Sequence, residues 1–147
     1  MIQLAELQTA SERTALDRFY KRTRQKARLG GDDRAWWALQ GSEIVGAVRL
    51  CYPAFGAWLR TLYVMPEWRQ MGVGSNLIRQ LLAEAEAEQV WCLPFAPKAP
   101  LYGRCGFCAV SKENIPQGLQ DRWSRYQRSG IDLEIMAWER PAGDDTT

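Results

Sequence analysis

The sequence predicts a mixed α/β domain of the α+β kind, in which helices flank a central, mostly antiparallel sheet, and three observations point to it. Two strand-like runs, residues 34–39 and 43–52, lie either side of the tight-turn signal Gln40-Gly41-Ser42. Residues 73–88 place Val73, Leu77, Ile78, Leu81, Leu82 and Ala85 on one face at helical spacing. The pieces follow one another as β-α-β-β-β-α-β-α-β-β. Neighbouring early strands should therefore pair antiparallel, and the strand–helix–strand unit around the central helix should cross over right-handedly and pair in parallel.

Each element has its own signal. The start, MIQLAEL, alternates like a strand, and residues 9–27 (TASERTALDRFYKRTRQKA) have helical periodicity with Ser11 as the N-cap. The basic stretch 13–28 carries Leu16, Phe19 and Tyr20 at helical spacing, so its charges read as a solvated helix face. Residues 57–66 form another strand, stopped by Pro66. The helix at 73–88 turns Asn76, Arg79, Gln80, Glu84 and Glu88 to its far side. VWCLPF, 90–95, is a short buried strand, and APLYGRCGF, 99–107, makes one or two helical turns closed by Gly106 at C′. FCAV is a strand, residues 113–130 a mixed loop with some helix, and IDLEIMAWE a last strand. One domain over residues 1–140 is expected, followed by a flexible tail at 141–147.

Composition narrows the function. A chain of 147 residues with 46% apolar and 24% charged side chains suits one soluble domain with one core. A net charge of +2 leaves no footprint for general nucleic-acid binding. No apolar run reaches the about 18 residues of a membrane span. The start lacks a charged region followed by a long apolar stretch, so no signal peptide is expected and the four cysteines should sit reduced in a cytoplasm. Cys105 and Cys108 form a C-x-x-C, but a redox pair of that kind opens a helix, and here a short strand and a turn follow. A zinc site would want a second pair or histidines, and the chain has no histidine. Incidental spacing is the expectation, with no metal.

The stretch PEWRQMGVGSNLIRQLL is the most informative. A strand ends at Val64, a loop carries Arg69, Gln70, Met71, Gly72, Val73 and Gly74, and a helix starts at once. The first N–H groups of a helix lack internal partners and carry the positive end of its dipole. Gly72 and Gly74 have no Cβ, so a phosphate can approach those amides. A P-loop would need a Lys after the glycines, and a dinucleotide fingerprint a third Gly where Leu77 stands. Taken alone, two glycines before a helix also make an ordinary tight turn.

The residues around that loop carry a resemblance. VMPEWRQMGVGSNLI resembles the acyl-CoA signature of the GNAT superfamily of N-acetyltransferases, (Arg/Gln)-x-x-Gly-x-(Gly/Ala), with Arg69, Gly72 and Gly74 at its three defined positions. Downstream, APLYGRCGF is similar to the family's second signature, in which Tyr102 precedes Gly106 and Phe107. The element order also resembles the family's, so the likeness spans residues 1–139. It implies the GNAT fold, a twisted sheet splayed between its fourth and fifth strands, and it implies acetyl-CoA as co-substrate. On that resemblance, the backbone of Leu62, Tyr63 and Val64 pairs with the pantetheine arm while staying unpaired with residues 90–95. Pro94 fits, since proline donates no ladder bond. The amides from Gln70 to Ser75 would hold the pyrophosphate, and Tyr102 matches the residue that protonates the departing thiolate.

The resemblance implies acetyl transfer to a primary amine, with a backbone N–H near Val64 as oxyanion donor. It leaves the base undefined, because neither strand beside the splay carries a carboxylate; Glu134 on the final strand is the remaining acid considered. The Asn that many family members place before the tyrosine helix is missing from PFAPKAP. Trp36, Trp37, Tyr52, Phe55, Trp58, Trp123 and Tyr126 either pack in the core or frame a pocket for a flat or apolar amine. The expected partner is a small-molecule amine, with no nucleic acid and no membrane, and room for a homodimer. Acetylation of a protein Lys or N-terminus, and acyl-CoA sensing without chemistry, stand as alternatives.

Overall fold

In the computed structural model, which describes residues 1–142, the chain forms β1 (Ile2–Glu6), α1 (Ala10–Arg22), β2 (Arg34–Gln40), β3 (Glu43–Cys51) and β4 (Trp58–Val64). There follow α2 (Val73–Glu84), β5 (Gln89–Cys92), α3 (Ala99–Arg104), β6 (Cys108–Ala109), α4 (Gln117–Arg128) and β7 (Met136–Glu139). The strands make one sheet in the order β1-β2-β3-β4-β5-β7-β6, antiparallel throughout except where β4 meets β5 in parallel. This is the predicted mixed α/β architecture. Of the expected tail, Pro141 and Ala142 carry no regular structure, and residues 143–147 lie outside the described residues.

Several boundaries move, each for a local reason. Thr9, not Ser11, caps α1: its hydroxyl accepts from the Glu12 amide at 3.1 Å while the Glu12 carboxylate accepts from the Thr9 amide at 3.0 Å. That reciprocal capping box fixes the start. The helix ends at Arg22, well before residue 27, where the Thr23 hydroxyl bonds the Phe19 carbonyl at 2.8 Å and Arg24 turns left-handed. At the end of α2, Glu86 is left-handed, and two guanidinium groups cover the carbonyls that the helix leaves open. Arg34 bonds the carbonyls of Glu84 and Ala85 at 3.1 Å each, and Arg140 those of Ala87 at 3.1 Å and Leu82 at 3.3 Å. The helix therefore stops at Glu84 instead of Glu88. β5 stops at Cys92, short of Pro94, and Phe95 keeps only an isolated bridge to Leu133.

The sheet separates two cores. Trp36 and Trp37 are consecutive on β2, so their side chains take opposite faces. Trp36 joins Val45, Val48, Leu77, Ile78 and Leu81 under α2. Trp37 joins Leu16, Phe19, Tyr20 and Ala47 under α1, and a third cluster of Trp58, Trp91, Leu119 and Ile135 seats α4. Gly46 on β3 lets α2 lie close: a Cβ there would sit 3.3 Å from both Val73 Cγ1 and Leu77 Cδ1. Leu77 is fully buried at this contact. Leu77→Ala should cost about 2–5 kcal/mol, transfer and cavity terms together. A shift of the urea midpoint measures it, and an unchanged midpoint would mean that α2 does not hold the core.

Candidate functional site

The parallel pair β4–β5 is short. Trp58 faces Trp91 and Leu59 faces Cys92, and from Arg60 onward β4 has no partner on that side. A bulge sits where the strands part. Between the pairs Ala47–Tyr63 and Arg49–Arg60, one residue of β3 faces two of β4. Thr61, in the bulge, has φ of 54°, a left-handed backbone in a β-branched residue. The protein fixes it from behind: the Tyr20 hydroxyl donates to the Thr61 carbonyl at 2.8 Å, and Arg49 Nε donates to Thr61 Oγ1 at 3.0 Å. Arg49 is itself buried and paired with Asp33 at 3.3 Å.

Past the bulge, the Met65 amide bonds the Val45 carbonyl on β3 at 2.8 Å. Strand alternation then turns the N–H groups of Leu62 and Val64 the other way, into the gap. The Val64 carbonyl, expected to be open, accepts Arg69 Nε at 2.8 Å. The Arg69 guanidinium also lies 5.3 Å from the Tyr63 ring centroid, so this side chain ties the loop to β4. Tyr63 itself packs toward α1 beside Phe19, leaving its main chain toward the site.

The loop brings the predicted anion-binding residues together at the mouth of α2. Gln70 and Gly72 are left-handed, with φ of 64° and 84°, and Gly72 is the N-cap. Gly72 supplies no side-chain cap, and the first turn of α2 holds no acid. Among the described residues, no N–H from Gln70 to Ser75 donates a well-aligned hydrogen bond to the protein. Alternating handedness of this kind gathers successive N–H groups around a concavity that suits an anion. Gly74 meets the split directly. A Cβ there would lie 3.7 Å from Leu62, Val64 and Leu101, ordinary contact that admits Ala and little more. Val73 is buried under the sheet, while Met71 is exposed.

Tyr102 stands on α3, packed edge-to-face on Phe107 with ring centroids 5.8 Å apart. Cys105 Sγ approaches the Ser75 carbonyl at 3.9 Å and keeps α3 against the first turn of α2. Tyr102 is buried, yet its hydroxyl has no protein partner and is not sealed in, because the ring borders a cavity of about 290 Å³. Burial pushes its pKa up, with smaller contributions from Cys92 and Cys105. The phenol therefore stays protonated throughout the neutral range. The cavity lies where β4 and β5 part, walled also by Trp58, Arg60, Thr61, Pro94 and Tyr126.

Other candidates fall elsewhere. Glu134 precedes β7, is exposed, and lines a separate hollow with Ser111, Lys112 and Trp123. Among the described residues, no Asp or Glu lines the cavity beside Tyr102. Trp36 and Trp37 are core, whereas Trp58 and Tyr126 border the cavity. All four cysteines are free, with Cys105 capping α3 and Cys108 opening β6. Among the described residues no group of three or more His, Cys, Asp or Glu converges to hold a metal, and no helix is long and apolar enough to cross a membrane. The bulge with its Tyr20 and Arg49 supports was not visible in the sequence. Its one signal is a charged residue inside the apolar run GAVRLC.

This geometry, a split parallel pair beside an uncapped helix, agrees with what sequence comparison finds. The profile of the acetyltransferase (GNAT) domain matches residues 31–109 of the 147, and the chain belongs to that family. No curated protein sequence matches it. Among solved structures, it is similar to N-acetylglutamate synthase from Neisseria gonorrhoeae complexed with coenzyme A and N-acetyl-glutamate. That match has a TM-score of 0.68 and 15% identity, covering 97% of this chain and 36% of the synthase. The ribosomal-protein-S18-alanine N-acetyltransferase from Escherichia coli gives a TM-score of 0.67 at 16% identity, covering 100% and 99% of the two chains. An IAA acetyltransferase from Bacillus cereus gives 0.64 at 15%, covering 95% and 100%. At such identities the likeness establishes the fold alone.

The bulge support is testable by itself. Arg49→Met should cost about 3–5 kcal/mol, since it removes the buried cation and leaves the largely buried Asp33 carboxylate with the Gly30 amide alone. Adding Asp33→Asn should recover part of that loss in urea denaturation. Equal stability of wild type and Arg49→Met would remove this pair from the account.

Proposed function

We propose that the chain transfers the acetyl group of acetyl-CoA to a primary amine of a small molecule. The observation that carries this reading is the open set of amides from Gln70 to Ser75 beside the unpaired edge of β4. One feature binds a diphosphate and the other an extended polar arm, and a single ligand bearing both fits the pair. Leu62 and Val64 would offer the arm their inward N–H groups.

When bound, acetyl-CoA supplies an activated thioester, so that a bond from the amine nitrogen to the acetyl carbon replaces the carbon–sulfur bond. Tyr102 holds the proton that the sulfur needs. Desolvation raises the phenol, so it keeps its proton until a thiolate forms beside it to take it. The amine must arrive neutral. With no carboxylate on the cavity wall, its proton passes to water there, and solvent later reprotonates Tyr102. The N–H groups of Leu62 and Val64 are the oxyanion donors available along the gap.

Position favours a small acceptor. α2 covers one face of the sheet, and the cavity opens on the other, between the loop after α1 and α4. Tyr102 belongs to the α2 side and reaches the cavity through the split. At about 290 Å³ the cavity stands at the low end of ligand sites.

Two substitutions test the two halves. Ser75→Asp puts a carboxylate in the first turn of α2, where the dipole should leave the fold as stable or about 0.3–1 kcal/mol more so. It should nonetheless weaken CoA binding in calorimetry at least about tenfold by repelling the diphosphate. Unchanged affinity would contradict the anion assignment. Tyr102→Phe should lower kcat by about 10²–10⁴ with CoA affinity intact, as loss of a general acid does. Equal turnover would take Tyr102 out of the mechanism.

A further inference from the structure

Among the described residues, the cavity beyond the split carries positive charge and no acidic side chain on its wall. Arg60 leaves β4 on the face away from α2, and its guanidinium lies 4.0 Å from the ring centroid of Trp58. Arg122 of α4 stands 5.2 Å from the same ring. Lys26, from the loop after α1, borders the same cavity as Arg60. Among the described residues none of these three forms an ion pair, whereas Arg34, Arg49 and Arg140 each do. Contact with Trp58 holds the Arg60 guanidinium beside the cavity, and its planar fork suits a two-oxygen acceptor. The rest of the wall is apolar or aromatic: Phe95, Tyr126, Leu133 and Trp58 itself.

We propose that the acceptor is an amine that carries a carboxylate on an apolar or aromatic body, an amino acid of that kind, with its carboxylate on Arg60 and Lys26. This rests on the acetyl-transfer reading above and adds the substrate class. The body lies against Trp58, Phe95 and Leu133, and the amine points through the split toward Tyr102. The size of the cavity fits one such molecule. A polyamine or a lysine-rich protein tail meets two unpaired cations and no carboxylate, so it is rejected by charge.

Thiol release from acetyl-CoA tests this on the full chain with matched acceptors: phenylalanine, leucine, methionine and tryptophan, the amides of each, and spermidine. The acids should exceed their amides in kcat/KM by at least about tenfold, with spermidine inert. Arg60→Gln should raise KM for the acids about ten- to a hundredfold and collapse the preference of acid over amide. Arg60→Lys, which keeps the charge and loses the planar fork, should fall between. Should either variant misfold, calorimetry of wild type in the presence of CoA decides the matter: N-acetyl-phenylalanine should bind and its amide should not. Amides or spermidine used as well as the acids, or a preference unmoved by Arg60→Gln, would overturn the proposal. CoA binding without turnover of any acid and without N-acetyl-phenylalanine binding would overturn it alone. Failure to bind CoA would instead overturn the acetyl-transfer reading.

Discussion

The two ends of α2 are treated in opposite ways, and the site follows from that. At the C-terminus, Arg34 from β2 and Arg140 after β7 reach the carbonyls of residues 82–87, placing cations on the negative end of the dipole. At the N-terminus nothing comparable is offered, although the same chain gives α1 a full capping box. A helix held firmly at one end and left open at the other would, in the acetyl-transfer reading, hold an anion rigidly. Its rigidity comes from Leu77, Ile78 and Leu81 in the core, and from Gly46, which lets it approach β3.

The sheet supplies the second half. Had β4 continued to pair with β5, the sheet would be closed and its two faces isolated. The Thr61 bulge and Pro94 end the pairing from either side. Strain at Thr61 is tolerated because Tyr20 and the buried Arg49–Asp33 pair bond to it. The opening lets Tyr102, anchored among residues of the α2 face, border a cavity on the α1 and α4 face. In the proposed reading, an acyl donor on one side and an acceptor on the other would then meet at one point. Proximity of that kind is the larger part of what the reaction needs.

What the sequence made legible follows from what is local. The spacing of Val73, Leu77, Ile78 and Leu81 announces α2, and the short turn at Gly41 announces the β2–β3 hairpin. Gly72 announces the loop, because its left-handed backbone restricts that position whatever surrounds it, and Arg69 and Gly74 complete the recognisable spacing. Tyr102 with Gly106 and Phe107 did the same for α3. Features set by distant partners stayed hidden: the early stop of α2 depends on Arg34 and Arg140, far from it in sequence. The register shift at Thr61 depends on Tyr20 and Arg49, and α4 forms within a stretch whose loop residues masked its helical face. Arg60 gave no sign at all, since an arginine on a strand is ordinary until its neighbours are known to leave it unpaired.

The most direct test of the central claim is a backbone amide spectrum of the protein as coenzyme A is added. The account predicts the largest shifts at residues 70–75 and at Leu62 and Val64, with α1 and the β2–β3 hairpin nearly still. Tight binding that leaves those amides unmoved and shifts others would show that the open end of α2 is not where the diphosphate sits.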